Sequence, residues 1–434
     1  NGGRGDLVVN SGGKLSLIGG TAADRSANLA VGGYGVGSQG FATVTGAGSE
    51  ITVSGTNANL GVGAAGASGT LTVSNAGRVT SGGLTIGDKG GVGTVNVNGG
   101  FIDLNGSQGR LLIGNSGTGT LAVSGGGVVD ATLNPAACVG NWCGNILANG
   151  AGSTGTLTID GAGSVVRTLR SFQAGTTYVD AFTGTAGGVT TATIQITNGG
   201  KFVTGNTALG TPPSGSGALG TEKSFVDVLI NGAGSQWTVT RNTVDNSAAL
   251  MGIGLDAGAT ANVTVSGGGK LRIDGTGSPG PNDGINIGSN GKGTLIVTGA
   301  GSALETVGVG PFINIGANNA AGNGSFQLLA GATASSMFMN IGRNGGTGSM
   351  VLDGANTLLT LSGVETLPAG AGTATGSIGR NGGTGTVTVS NGARWLITDG
   401  GQDGRSINGS PALSVGRDAN GHGSLTITGA GSRV

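Results

Sequence analysis

One phrase recurs throughout this chain: a short apolar stretch ending in Ile-Gly, a Gly-rich turn, then Gly-Thr-Leu-Thr-Val-Ser-Gly. It reads LTIGDKGGVGTVNVNGG from Leu84, LLIGNSGTGTLAVSGGG from Leu111 and INIGSNGKGTLIVTGAGS from Ile285. It returns as MNIGRNGGTGSMVLDGA from Met339 and LSVGRDANGHGSLTITGAGS from Leu413. A unit this short cannot bury its own apolar face, so it must stack on its neighbours, and the repeat decides the fold class before any motif does.

Composition raises one rival. With 100 Gly in 434 residues, the chain carries about three times the usual ~7%, as a disordered Gly/Ser/Thr tract would. Disorder requires too little apolar surface to offset ordering entropy, yet Leu, Val and Ile alternate with polar residues in nearly every unit. In Leu60–Gly83, Leu71 and Val73 face one way and Thr70, Thr72 and Ser74 the other, the period of a half-buried strand. Asn75-Ala76-Gly77 is turn chemistry, Arg78-Val79-Thr80 a second extended piece, and Gly82-Gly83 turns into Leu84-Thr85-Ile86.

Anchoring on the glycines, Gly61 to Gly87 spans 26 residues, Gly87 to Gly114 27, Gly288 to Gly316 28 and Gly316 to Gly342 26. Three strands in each such unit predict an all-β, right-handed parallel β-helix of about thirteen coils, on the order of 60 Å long at ~4.8 Å per step. Residues 1–434 read as one continuous segment that begins and ends inside a repeat, so a longer parent protein is expected. Ile51, Trp237 and Trp395 occupy one slot of the repeat, which makes the two tryptophans core or corner fillers. All eight prolines avoid the strand phrases. Longer loops are expected near residues 135–146, 171–189, 206–224, 241–248, 362–374 and 400–411, where a solenoid commonly carries binding.

Twenty Lys+Arg balance twenty Asp+Glu, scattered along the chain, and give no case for nucleic acid or an anionic membrane. No stretch is apolar for the ~18 residues of a membrane-spanning helix. Cys138 and Cys143 suit a local disulfide in a loop of an exported protein better than a redox or metal site.

Units of the form IG-x-x-G-x-G-T-L-T-V-S-G-A-G-S-x-V, best matched at Leu84–Leu104, Leu111–Val129, Ile285–Leu304, Ile378–Ile397 and Val415–Val434, resemble the repeats of bacterial type V secretion (autotransporter-like) passengers. The resemblance implies a right-handed parallel β-helix outside a Gram-negative cell, as an adhesin or surface stalk.

Catalytic signals are few. His422 is the single histidine, at a slot held elsewhere by Lys292 and Thr347, so it reads as a turn residue. Glycan lyases and hydrolases on β-helices use clustered carboxylates. Asp256 with Asp283, or Asp399 with Asp403, are the pairs that could meet across coils at the ~5–9 Å a glycosidase needs. The Gly-rich turns lack the tandem G-G-x-G-x-D of calcium-binding rolls. Arg4-Gly5-Asp6 spells an integrin-type tripeptide and is a weak binding candidate beside the plainer reading, a turn with two solvated charges. Outward threonines suggest ice binding, but Thr70/Thr72 becomes Thr94/Asn96 and then Thr120/Ala122.

The expected role is therefore non-enzymatic, without cofactor or metal: an extracellular, surface-exposed adhesin or stalk. The expected partners are host or neighbouring-cell glycans or matrix proteins, or the chain itself end to end. A self-assembling fibre is the alternative, and a polysaccharide lyase or hydrolase comes third.

Overall fold

The computed structural model describes residues 2–20, 27–33, 35–105, 109–132, 145–168, 171–176, 189–211, 223–241, 248–277, 283–317, 319–363, 374–398 and 412–434. Among them are 40 strands and no helix. Every third strand along the chain belongs to the same sheet, giving three sheets of 14, 13 and 13 strands. Each resolved pairing is parallel, as in Ser68–Ser74 beside Val92–Asn98 and Val92–Asn98 beside Thr118–Ser124. The chain is a right-handed parallel β-helix of about thirteen coils. Among the described residues no helix is long and apolar enough to cross a membrane.

Two compact units divide the chain: Asn1–Thr204 with Pro212–Val226, and Gly205–Thr211 with Asp227–Val434. In the first, Leu71, Val95, Leu121, Leu157 and Ile194 stack in register and are fully buried. Phe172 and Phe202 meet edge to face at 5.0 Å beside them. In the second, Trp237, Leu271, Leu304, Ala334, Leu359 and Trp395 form one buried column. The tryptophans are core fillers in the slot that Ile51 takes in its own coil. Burying each Leu or Val contributes about 1.5–3 kcal/mol, and every coil repeats the contribution.

The sequence anchor needs one correction. Leu60 pairs with Leu84, so that coil holds 24 residues, and Gly61 faces Thr85. Gly63, at φ 68°, is the counterpart of Gly87, also at φ 68°. LGVG offers two candidate glycines, and only the positive φ picks the second. A Cβ at Gly87 would fall on the carbonyl oxygen of Thr118, and one at Gly119 on the amide of Gly114. The end of the third-sheet strand and the start of the first-sheet strand thus touch backbone to backbone, which is why Ile-Gly and Gly-Thr recur together. Only Ala148, at φ 58°, stands in for the first glycine among the described coils of the first unit.

The Gly-Ala-Gly-Ser phrase has an equally local cause. Ser302 is fully buried, and its hydroxyl accepts from the Gly268 amide of the preceding coil at 3.0 Å. Ser49 does the same for Gly12 at 3.1 Å and Thr357 for Gly331 at 2.9 Å. The Thr357 hydroxyl also donates to the carbonyl of Asp353 at 2.8 Å. One part-buried hydroxyl therefore satisfies both a turn amide and a strand carbonyl.

Candidate functional site

The outward faces differ in chemistry, and the difference follows from register. On the first sheet Thr70, Thr94, Thr120, Thr156 and Thr193 lie in one column. The next column runs Thr72, Asn96, Ala122, Thr158, Gln195, so Thr-x-Thr does not repeat from coil to coil. On the second sheet, charges that look scattered in the sequence meet as ion pairs between coils. Lys14 pairs with Glu50 at 3.3 Å, Arg78 with Asp103 at 2.7 Å and Arg272 with Glu305 at 3.0 Å. The Lys14–Glu50 pair is exposed and adds little stability, whereas Arg78–Asp103 and Arg272–Glu305 are part-buried, and each pair cancels its own charge.

The corner where the third sheet turns into the first is different. The residue after the Ile-Gly glycine forms a column there. In the second unit it is Leu255, Ser289 and Ala317 in the earlier coils and Arg343, Arg380 and Arg417 in the last three, which are consecutive. Neighbouring strands lie about 4.8 Å apart, so three guanidinium-bearing residues stack at that step. Asp418 is their acid: Arg380 reaches it at 2.9 Å and Arg417 at 3.6 Å. Arg343 is half-buried, and its Nε has no hydrogen-bond partner. Burial, and then the like charge of Arg380, pull its affinity for a proton below the ordinary value, though a guanidinium remains charged. The following column carries Asn344, Asn381 and Asp418, all at positive φ, where Asn and Asp are the tolerated non-glycine residues. Asn381 donates to Asn344 at 3.1 Å.

A shallow recess lies on the same corner a few coils earlier, lined by Ala257, Thr260, Asn290, Lys292, Ala321 and Asn323 among others. Asn319 donates to Asn290 Oδ1 at 2.6 Å. Burial pushes the half-buried carboxyl of Asp256 up, against the opposing hydrogen bond from Asn290.

Sequence reasoning missed this arrangement, although GRNGG at 342–346 and 379–383 and GRDANG at 416–421 spell it out. His422, in contrast, sits where the repeat puts it, opposite Thr384, in the column that runs through Thr347 and Asn323 to Lys292. It opens the strand His422–Thr428 and is exposed.

Arg4-Gly5-Asp6 is strand, not turn: it begins Arg4–Val9. Residues two apart share a face, so Arg4 and Asp6 bond each other at 3.3 Å, and the Arg4 guanidinium lies 4.5 Å over the Phe41 ring of the next coil. The tripeptide is flat and self-paired. Asp256 and Asp283 do not form a carboxylate pair. Asp283 precedes the strand Gly284–Ile287, is fully buried and accepts from the Ala249 amide at 2.8 Å. Asp256 follows the strand Leu250–Ile253, at the other end of the same face, at least a four-residue strand or about 13 Å away. Asp399, Asp403, Cys138 and Cys143, and most of the expected loops, lie outside the described residues.

No family model matches the chain, and no curated protein matches its sequence. Among solved structures it is similar to the crystal structure of a TibC-catalyzed hyper-glycosylated TibA fragment. The identity is 13%, 99% of each chain is covered, and the TM-score is 0.29. A likeness at that score carries no argument, and the fold assignment rests on the strand pairing itself.

Proposed function

We propose that the chain is a non-enzymatic display segment of a surface-exposed or secreted bacterial adhesin, a scaffold that presents contacts to glycans or matrix proteins. The observation that supports this is repetition. The outer face of the first sheet offers short hydroxyl and amide side chains coil after coil, with the buried hydroxyls and backbone already committed to holding the coils together. Catalysis needs one place unlike the others, with an acid and a base poised against each other. Repetition instead suits multivalent contact, where many weak, equivalent sites add up. The autotransporter-like form of the repeat adds an extracellular setting.

The test has two arms. Antibody labelling of intact cells is expected to reach the chain without permeabilisation. The purified chain is expected to bind saturably on an array of glycans and matrix proteins, and release no reducing or unsaturated sugar ends from them. Labelling only after permeabilisation, or sugar release, would sink the reading.

A further inference from the structure

We infer that the corner between the third and first sheets in the second unit is a binding track for an anionic polysaccharide, one bearing carboxylate or sulfate groups, held by Arg343, Arg380 and Arg417. The inference rests on the display reading for its biological setting, while the chemistry stands on the corner itself.

Three observations meet there. The first is the like-charge column. Stacking guanidinium groups at strand spacing is unfavourable without an anion between them, and among the described residues Asp418 pairs with Arg380 and Arg417 only. The Arg343 side chain is half-buried, makes no ion pair among the described residues and leaves its Nε unbonded. The second is contrast with Lys14, Arg78 and Arg272 on the second sheet, each of which meets an acid across coils. The third is the recess on the same corner, where Thr260, Asn290, Lys292 and Asn323 supply hydroxyl, amide and ammonium groups beside Ala257 and Ala321. The acids of the corner are Asp256 and Asp418, against four permanent cations, Lys292, Arg343, Arg380 and Arg417.

This set fits a sugar polymer. Guanidinium groups take carboxylate or sulfate in a bidentate fork. The ~4.8 Å step between coils is close to the length of one sugar residue, so successive anionic substituents can meet successive arginines. Amides and a hydroxyl over a shallow, small-residue floor suit sugar hydroxyls, and among the described residues of the corner no exposed aromatic is there to stack a nucleic-acid base.

The experiment is titration of the purified chain with heparin, polygalacturonate and neutral dextran, at several salt concentrations. Heparin and polygalacturonate are expected to bind and dextran not to. Arg380→Gln with Arg417→Gln should weaken polyanion binding at least tenfold. It should also lower the slope of log affinity against log salt by about two, one per cation removed, on the counterion-release argument. Arg343→Gln should weaken it a further few-fold. Lys201→Gln, which removes an exposed second-sheet cation of the first unit, should change affinity less than twofold. Circular dichroism and melting of each variant confirm that the fold is intact. Unchanged polyanion affinity and slope in the folded double variant overturns the inference, as does dextran binding as tightly as heparin. Tighter binding of inorganic polyphosphate or duplex DNA than of either polyanionic sugar also overturns it. Failure of the display reading would show instead in cell labelling, with binding in vitro intact.

Discussion

The same corner is built in two ways in the two units, and the residue that follows the Ile-Gly glycine makes the difference. In the first unit the column passes from Ala64 to Asp88, Asn115, Asn149 and Thr176. Asn115 donates to Asp88 at 2.8 Å, Asn149 to Asn115 at 2.8 Å and Thr176 to Asn149 at 2.7 Å. Asn115 and Asn149 each give and receive, Asp88 accepts at one end and Thr176 donates at the other, so the column is satisfied from within. In the second unit Arg343, Arg380 and Arg417 can only donate, and the column stays open to an outside acceptor. The second unit can build a closed ladder: on the flat of its third sheet Asn340 donates to Asn314 at 2.8 Å, and Asn314 to Asn286 at 2.9 Å. One backbone geometry therefore serves as a structural seam in one place and a charged edge in another.

The largest expected effect removes what the two corners share. Gly87→Val and Gly342→Val each place a branched side chain at φ near 67–68°, on the carbonyls of Thr118 and Thr384 respectively. Left-handed strain and the backbone clash together should cost about 3 kcal/mol or more in either unit. Urea denaturation would show it, and a loss below 1 kcal/mol in one unit only would mean the corners are not equivalent.

Next come the residues that differ, where the two units should answer in opposite senses. Asn115→Ala breaks two side-chain hydrogen bonds and leaves the Asn149 and Asp88 groups unanswered, a loss of about 1–3 kcal/mol. Arg343→Ala removes a half-buried charge facing another of the same sign, and should stay within about 0.5 kcal/mol of the parent, on the stabilising side. Hydrogen exchange at amides flanking each site would separate the two. Equal losses would show that Arg343 is a structural seam after all.

Smaller still is the effect of Asp418→Asn, which leaves the arginine column without its acid. Stability at low salt should fall by a few tenths of a kcal/mol up to about 1, and the deficit should shrink as added salt screens the repulsion. Polyanion affinity should rise at the same time. Melting in low and high NaCl checks the first, titration with heparin the second. A deficit that does not respond to salt would point to lost hydrogen bonding rather than to charge.

The contrast also marks how far the sequence could be read. The strand phrase, the in-out alternation and the shared slot of Ile51, Trp237 and Trp395 follow from period-two patterning inside each unit. So does the column from Lys292 to His422, because the Gly-x-Gly-Thr frame fixes it within a few residues. The corner chemistry depends instead on which residues meet across coils. Asn381 meets Asn344 across 37 residues, whereas Asn115 meets Asp88 across 27. The Ile/Val-Gly-Arg phrase aligns the three arginines as the Gly-x-Gly-Thr frame aligns Lys292 with His422, but which acids and amides answer them is decided by contacts across coils that insertions of unequal length hide. Arg4-Gly5-Asp6 misled for a related reason: Gly suggests a turn, but pairing with Gln39–Thr45 of the next coil holds the tripeptide extended.

Asp256 offers the finest test, because it precedes Asn344, Asn381 and Asp418 in the same turn position and is acidic without an arginine beside it in sequence. Burial raises its folded-state pKa above the ordinary carboxylate value. A raised pKa means that the protonated form is favoured by folding. The stability this contributes is fully present below the unfolded value of ~3.9 and is lost as pH rises through the folded one. Asp256→Asn, a neutral side chain of the same shape, should therefore melt slightly above the parent at pH 7 and level with it near pH 3. The gap should open as the parent carboxyl ionises. A variant that melts below the parent at pH 7 would mean that the charge is held by the corner's cations, Lys292 first among them. The positive field of the track would then extend back from Arg343 to the recess.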